Sequence, residues 1–179
     1  ITGKGRYTGD IDLRGQTYGY FVRSPYAHAV VGEVDTSEAQ SMPGVVAVLT
    51  GKQVAEDELG GLPCGWMIHS KDGGEMKQPL HPVMAATKVN YVGEPVALVV
   101  AESFDEAKNA AEHVSVDYEE LPAVVSTAAA QSAPDIYTEA PGNTCYQWEL
   151  GEKEATDAAI EGAAHVTRYT LTNNRLIPN

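Results

Sequence analysis

Cysteine is scarce in this sequence of 179 residues, where Cys64 and Cys145 are the only two. Two thiols so far apart make neither the disulfide framework of a small secreted domain nor the paired clusters of a zinc knuckle, and free cysteines of this kind pack as small apolar groups. Basic charge is also short. Lys and Arg number 12 against 25 Asp and Glu, a formal net charge of -13, and the basic residues stand singly. Such a surface repels phosphate backbones and anionic lipid, which argues against nucleic acid and membranes as partners. Long apolar runs are missing too. None reaches about 18 residues, so no segment reads as a bilayer span, and with no basic-then-apolar leader the expected address is cytoplasmic. What remains is an ordinary globular composition, 43% hydrophobic and 21% charged. At this length it can bury roughly 70% of the unfolded surface.

The clearest pattern lies between Val89 and Val125. Val96 to Ala101 is a continuous apolar run rich in valine, the signature of a strand buried on both faces. Ser103 follows with Glu106 three positions on, a cap and its reciprocal acceptor, so a helix is expected there. Ala107, Ala110, Ala111 and Val114 hold the spacing of one helical face, and three of them are small enough to lie close on a sheet. The period then becomes two: Val114, Val116 and Tyr118 alternate with Ser115, Asp117 and Glu119 until Leu121-Pro122 stops the strand. This is one β-α-β unit. A second copy places Asp35 at the cap, Glu38 at the acceptor position and Val45 to Leu49 as the next strand. A weaker third puts Gly151 at the cap, with Ala155, Ala158, Ala159 and Gly162 on one face and a strand pattern after it. Tyr18 to Arg23 and His28 to Asp35 also read as extended, bent apart by Ser24-Pro25-Tyr26. Between the units, 51–82 is rich in Gly, Pro and charge and longer than most loops of a compact domain. Loops of that length are functional or interface-forming.

Several groups invite a chemical reading. Gly3-Lys4-Gly5-Arg6-Tyr7-Thr8-Gly9-Asp10 has the composition of a phosphate loop but the wrong glycine spacing, no strand before it and acid after it, so a turn-rich opening segment is expected. Cys64, His69 and His81 share the long loop, yet their spacing fits no ligand pattern and a fourth ligand is missing. A Cys64 nucleophile served by His69 or His81 has no visible orienting partner. His28, His113 and His165 each stand alone. Ser24, Ser103 and Ser126 lack a nucleophile-elbow setting, and so does Cys145. The carboxylates Asp117, Glu119, Glu120, Glu152, Glu154, Asp157 and Glu161 decorate a strand end and a helix, as solvated faces do. The residues themselves give no catalytic, cofactor-binding or metal-ligating set.

One resemblance runs through the whole chain. Tyr91-Val92-Gly93-Glu94-Pro95-Val96-Ala97 with the helix and strand that follow, preceded in order by Gly3-Lys4-Gly5-Arg6-Tyr7, Arg23-Ser24-Pro25-Tyr26-Ala27-His28-Ala29 and Pro43-Gly44-Val45, resembles the N-terminal α/β hammerhead domain of molybdenum hydroxylase large subunits. That family includes xanthine dehydrogenase, aldehyde oxidase and carbon monoxide dehydrogenase. Tyr146-Gln147-Trp148-Glu149-Leu150-Gly151-Glu152 is most similar to the carbon monoxide dehydrogenase-like branch.

The resemblance implies an α+β fold, an α/β hammerhead whose mixed sheet is built from β-α-β units with helices packed on it. Residues 1–150 would form that domain, with the long loop 51–82, and 151–179 would be a helix and strand leading into a molybdenum-binding domain. Arg175 to Asn179 resembles the segment that enters that domain, and with Ile1 in place of Met both ends are expected to be cut. The parent enzyme would hold molybdopterin cytosine dinucleotide, with iron-sulfur clusters on a small subunit and FAD on a medium subunit. The family's catalytic glutamate lies on later domains, so no catalytic, cofactor-binding or metal residue carries over, and the piece is expected to be structural and subunit-organising. Two other readings stay open: a self-contained small-molecule binding module, which requires a concave apolar pocket with convergent polar groups, and a Cys64 hydrolase.

Overall fold

A computed structural model describes residues 2–171, so the expected connection at Arg175 to Asn179 lies outside the described residues. Three layers are present. The middle layer is a three-stranded sheet in the order β1 (Tyr18–Arg23), β5 (Pro95–Ala101), β3 (Val45–Thr50); a second sheet runs β4 (Lys88–Val89), β2 (Ala29–Asp35), β6 (Ser115–Glu120). Helices α1 (Ser37–Ser41) and α3 (Phe104–Ala111) cover the outer face of the first sheet.

β5 is the pivot. Val96, Ala97, Val99 and Ala101 are completely buried, as the valine run requires. Val96 packs between the sheets with Ala29, Val31, Ala85 and Val89, and Val99 packs on the other side with Ala39, Val48, Ala110 and Ala111. The alternation of successive side chains across a strand supplies both cores from one segment. Ala107, Ala110 and Ala111 are the buried residues of α3, the small-residue face read from its spacing, with Val114 against the same core. The Ser103 hydroxyl accepts the Glu106 amide at 3.2 Å and donates to the Glu106 carboxylate at 2.7 Å.

The α+β class and the strand-helix-strand order hold, but the expected single mixed sheet is two sheets. Every strand pairing among the described residues is antiparallel. The first unit, β2-α1-β3, starts in the second sheet and ends in the first; the other, β5-α3-β6, does the reverse. Periodicity along one strand says nothing of which neighbour it pairs with, hence the difference. The α1 cap is also displaced. Thr36 occupies the cap position, while Asp35 accepts the Ser37 amide at 2.9 Å and Glu38 pairs with His113 beyond the end of α3 at 2.7 Å.

The third copy keeps only its helix, α4 (Lys153–Glu161), whose cap position is Glu152 rather than Gly151. The residues from Ala163 to Leu171 pair with no strand, and every residue from Cys145 to Leu171 is exposed. An edge strand needs a partner, and this stretch has none among the described residues. Nor is any helix among them long and apolar enough to cross a membrane.

Candidate functional site

Residues 51–82 begin with order that composition hid. Thr50 accepts the Gln53 amide and Gln53 returns its side chain to the Thr50 amide at 2.8 Å, a capping box that starts α2 (Gly51–Glu56). The signal was readable as Thr-x-x-Gln. Glycine is required at 51, since a Cβ there would lie 2.0 Å from the Ala85 carbonyl oxygen. From Gly61 the chain runs out and back. Gly61 bridges Pro82 at the base and His69 bridges Glu75 near the tip, where the Ser70 amide donates to the Gly74 carbonyl at 2.8 Å.

This excursion is fastened to a distant segment. The Lys71 amide donates to the Gln147 carbonyl at 2.7 Å and the Lys77 amide to the Cys145 carbonyl at 2.9 Å. The Gln147 amide donates to the Ser70 hydroxyl at 3.1 Å, and Lys71 Nζ meets Glu149 at 2.7 Å. That ion pair holds the Glu149 carboxyl below its ordinary value and Lys71 above its own.

The loop candidates are only partly brought together. Cys64, His81, Tyr137 and Cys145 line a cavity of about 650 Å³ with Leu62 and Leu80 among its apolar walls. His69 lines a different one, of about 600 Å³, with Trp66, Met67, Ile68, Tyr146 and Trp148. The Cys64 thiol donates to the Trp66 carbonyl at 3.2 Å, and no imidazole bonds it. Among the described residues no three His, Cys, Asp or Glu side chains converge to hold a metal. At the opening segment the Tyr7 amide donates to the Asp10 carboxylate at 2.8 Å; an acid occupies the donor that a phosphate would seek. His28 is buried with one hydrogen bond, Nδ1 to the Pro122 carbonyl at 2.8 Å, and His165 is exposed. Ser24 turns the chain, accepting the Tyr26 amide at 3.0 Å.

The most unusual electrostatics belong to Glu94, which the residue-by-residue reading passed over. The turn Tyr91-Val92-Gly93-Glu94 needs positive φ at Gly93, 87°, which glycine adopts without strain. Arg23 Nη1 donates to the Gly93 carbonyl at 2.8 Å, and the Ser24 amide donates to the Glu94 carbonyl at 2.9 Å. The turn is thereby locked to the end of β1, and Glu94 is directed inward at 1% exposure. Oε2 accepts the Asn90 amide at 2.6 Å, while Oε1 and Asn90 Oδ1 are buried without a protein partner. Burial pushes the Glu94 carboxyl above its ordinary value, against the opposing pull of the Asn90 and Tyr91 amides, His81 and Lys88. Burial likewise raises the neighbouring phenols of Tyr91 and Tyr137, with the Glu94 charge adding to it. The Asn90 amide bond ties the Glu94 carboxylate to its own turn. An acid at the head of a valine run was the available signal.

Residues 2–122 match the family model described as aldehyde oxidase and xanthine dehydrogenase, a/b hammerhead domain. The carbon monoxide dehydrogenase large chain of Afipia carboxidovorans is 36% identical over 99% of this chain and 22% of its own length. The nicotine 6-hydroxylase large subunit of Paenarthrobacter nicotinovorans is 36% identical over 93% of this chain and 20% of its own. Among solved structures, carbon monoxide dehydrogenase from Oligotropha carboxidovorans superimposes with a TM-score of 0.70 at 34% identity, covering 91% of this chain and 21% of that one. Quinoline 2-oxidoreductase from Pseudomonas putida 86 gives 0.65 at 40% identity, over 72% and 16%. The chain thus spans about a fifth of the length of these relatives.

Proposed function

Because this chain belongs to the aldehyde oxidase and xanthine dehydrogenase family through its a/b hammerhead domain, we propose that it is the N-terminal part of the large subunit of a molybdenum hydroxylase. The reading assigns 1–150 to the hammerhead domain, with 51–82 as its interface-forming loop, and 151–179 to the connection onward. The whole enzyme would oxidise a carbon centre, by hydroxylation with water-derived oxygen or as carbon monoxide, and pass electrons through iron-sulfur clusters to FAD on partner subunits. Molybdopterin cytosine dinucleotide would supply that redox chemistry from later domains. In this reading the later domains hold that group, and no residue of 1–179 is assigned to it. The part played here is support and subunit organisation.

The observation that carries this reading is coverage: nearly all of this chain aligns with about a fifth of the relatives. The test is the intact gene product. Its mass should far exceed 19.1 kDa and its molybdenum content should approach one per large subunit, with none retained by residues 1–179 expressed alone. A native product of 19.1 kDa would refute the proposal.

One feature favours a second reading. The cavity lined by Cys64, His81, Tyr137 and Cys145 is the concave apolar pocket with polar groups that a binding module requires. Ligand-screened thermal shift discriminates, since a specific ligand at about 100 times its Kd stabilises by about 2.7 kcal/mol. Absence of any shift leaves support as the function.

A further inference from the structure

Residues 126–144 form a strap that is built on itself. Its one-turn helices, Ala130–Ser132 and Pro141–Asn143, gather around Asn143, whose Nδ2 donates to the Ala130 carbonyl at 2.8 Å and whose Oδ1 accepts the Ile136 amide at 2.9 Å. Among the described residues no main-chain hydrogen bond joins this strap to either sheet. Side chains hold it down instead. Lys88 Nζ, on β4, donates to the Ile136 carbonyl at 2.7 Å and lies 6.0 Å from the centre of the Tyr137 ring, and Ala140 is buried.

Glu94 lies beside these anchors. Its Oε1 and Asn90 Oδ1 are buried acceptors without a protein partner, and the Tyr137 phenol faces both residues. Lys88 also stands within electrostatic reach of the Glu94 carboxyl. One cation therefore has two acceptors to choose between, the Ile136 carbonyl of the strap and the bare Oε1. A neutral Glu94 carries a donor for a buried acceptor and makes little claim on Lys88. An ionised Glu94 carries acceptors only, and a buried charge is costly until it is paired or wetted. A charge-assisted bond from Lys88 pairs it and takes the lysine off the strap. The groups facing Glu94 are Lys88 from β4, His81 from the long loop, Tyr91 from its own turn and Tyr137 from the strap, with Arg23 of β1 beyond Tyr91 and Glu139 beyond Tyr137.

We infer that the strap 126–144 is a lid worked by the proton on Glu94, with Lys88 as its latch: fastened to the Ile136 carbonyl while Glu94 is neutral and released when Glu94 ionises. Tyr137 is the strap's contribution to the cavity of about 650 Å³, while Lys88 and Asn90 line another of about 490 Å³, and Leu80 is in the wall of both. Lifting the strap takes the Tyr137 wall from the first cavity, so the lid governs entry there. Burial holds the Glu94 carboxyl above its ordinary value. The closed lid is therefore favoured at lower pH and the open one as pH rises through that raised value.

Hydrogen–deuterium exchange with mass spectrometry on the native gene product, run from about pH 5 to about pH 9 with each rate divided by the intrinsic chemical rate at that pH, tests it. Peptides covering 133–143 should speed up about tenfold or more in one step, the factor carried by a hydrogen bond to a charged group, while β5 stays slow throughout. Glu94→Gln should keep the strap slow at every pH, and Lys88→Met should make it fast at every pH. His81→Gln should leave the step in place. A flat wild-type profile, a step that survives Glu94→Gln or a strap that stays slow in Lys88→Met overturns the lid. A step lost with His81→Gln gives the proton to the imidazole and overturns it as well. The wild-type profile involves no substitution, so a variant that also speeds β5 and has lost its fold leaves that refutation in force.

Discussion

Glutamine at position 94 is the sharpest probe of the turn that feeds the central strand. Glu94→Gln keeps the side-chain shape and the acceptor facing the Asn90 amide, removes a buried charge and turns the unpartnered Oε1 position into a donor. Burial disfavours the ionised carboxylate, and a buried group that loses its solvation costs about 1–3 kcal/mol, so removing the charge should make the variant more stable by about that much near pH 8. The sign of the pH dependence follows from burial. The folded-state carboxyl sits above its ordinary value, so in the pH window between the unfolded and folded-state values the folded protein holds a proton that the unfolded chain has released. The stability carried by that proton is complete below the unfolded value of about 4.3 and is lost as pH rises through the raised folded-state value. The Gln variant does not titrate there. Its advantage should therefore open above about pH 4.3, growing at up to about 1.4 kcal/mol per pH unit before it levels off. Urea unfolding of both proteins at about pH 4, 6 and 8 measures the gap, and the other carboxylates cancel in the comparison. A gap of the same size at all three pH values, or a Gln variant less stable than wild type near pH 8, would refute the reasoning.

Val99→Ala removes two methyl groups from the core under α1 and α3 and should cost about 2 kcal/mol in urea unfolding, transfer and residual cavity together. Ser103→Ala should cost about 1 kcal/mol, with most of it restored by Ser103→Asn, whose carbonyl oxygen can accept the Glu106 amide while its NH2 can serve the Glu106 carboxylate. Gly51→Ala places a methyl 2.0 Å from the Ala85 carbonyl oxygen; a backbone must move, and a lowered Tm reflecting about 1–3 kcal/mol is expected.

How much of this was readable beforehand depends on the range of the interaction. β5, α3 and β6 were visible because a valine run, a Ser-x-x-Glu cap and a change of period are all local. The placement of their partners was not. The antiparallel match of β3 to β5 pairs Val48 with Val99, and nothing near either residue announces it. β4, with two residues, is too short to show a period. The Asp35 cap was off by one position because Asp, Thr and Ser stand in a row there, each able to cap. The fastening of 70–77 onto 145–149 is made mostly by main-chain groups, which carry no sequence signal. That is why Trp148 and Tyr146 could not be placed beside Trp66. The family resemblance, by contrast, rested on ordered local blocks, and the match over 2–122 agrees with it.

The exchange of strands between layers has a consequence for how this molecule can be divided. A single nick in the hairpin at Asp72-Gly73 would separate β1, β2 and β3 from β4, β5 and β6. Each half would then own strands in both sheets and complete neither. Such halves are obligate complements: silent apart, they regain the interlaced architecture only by meeting.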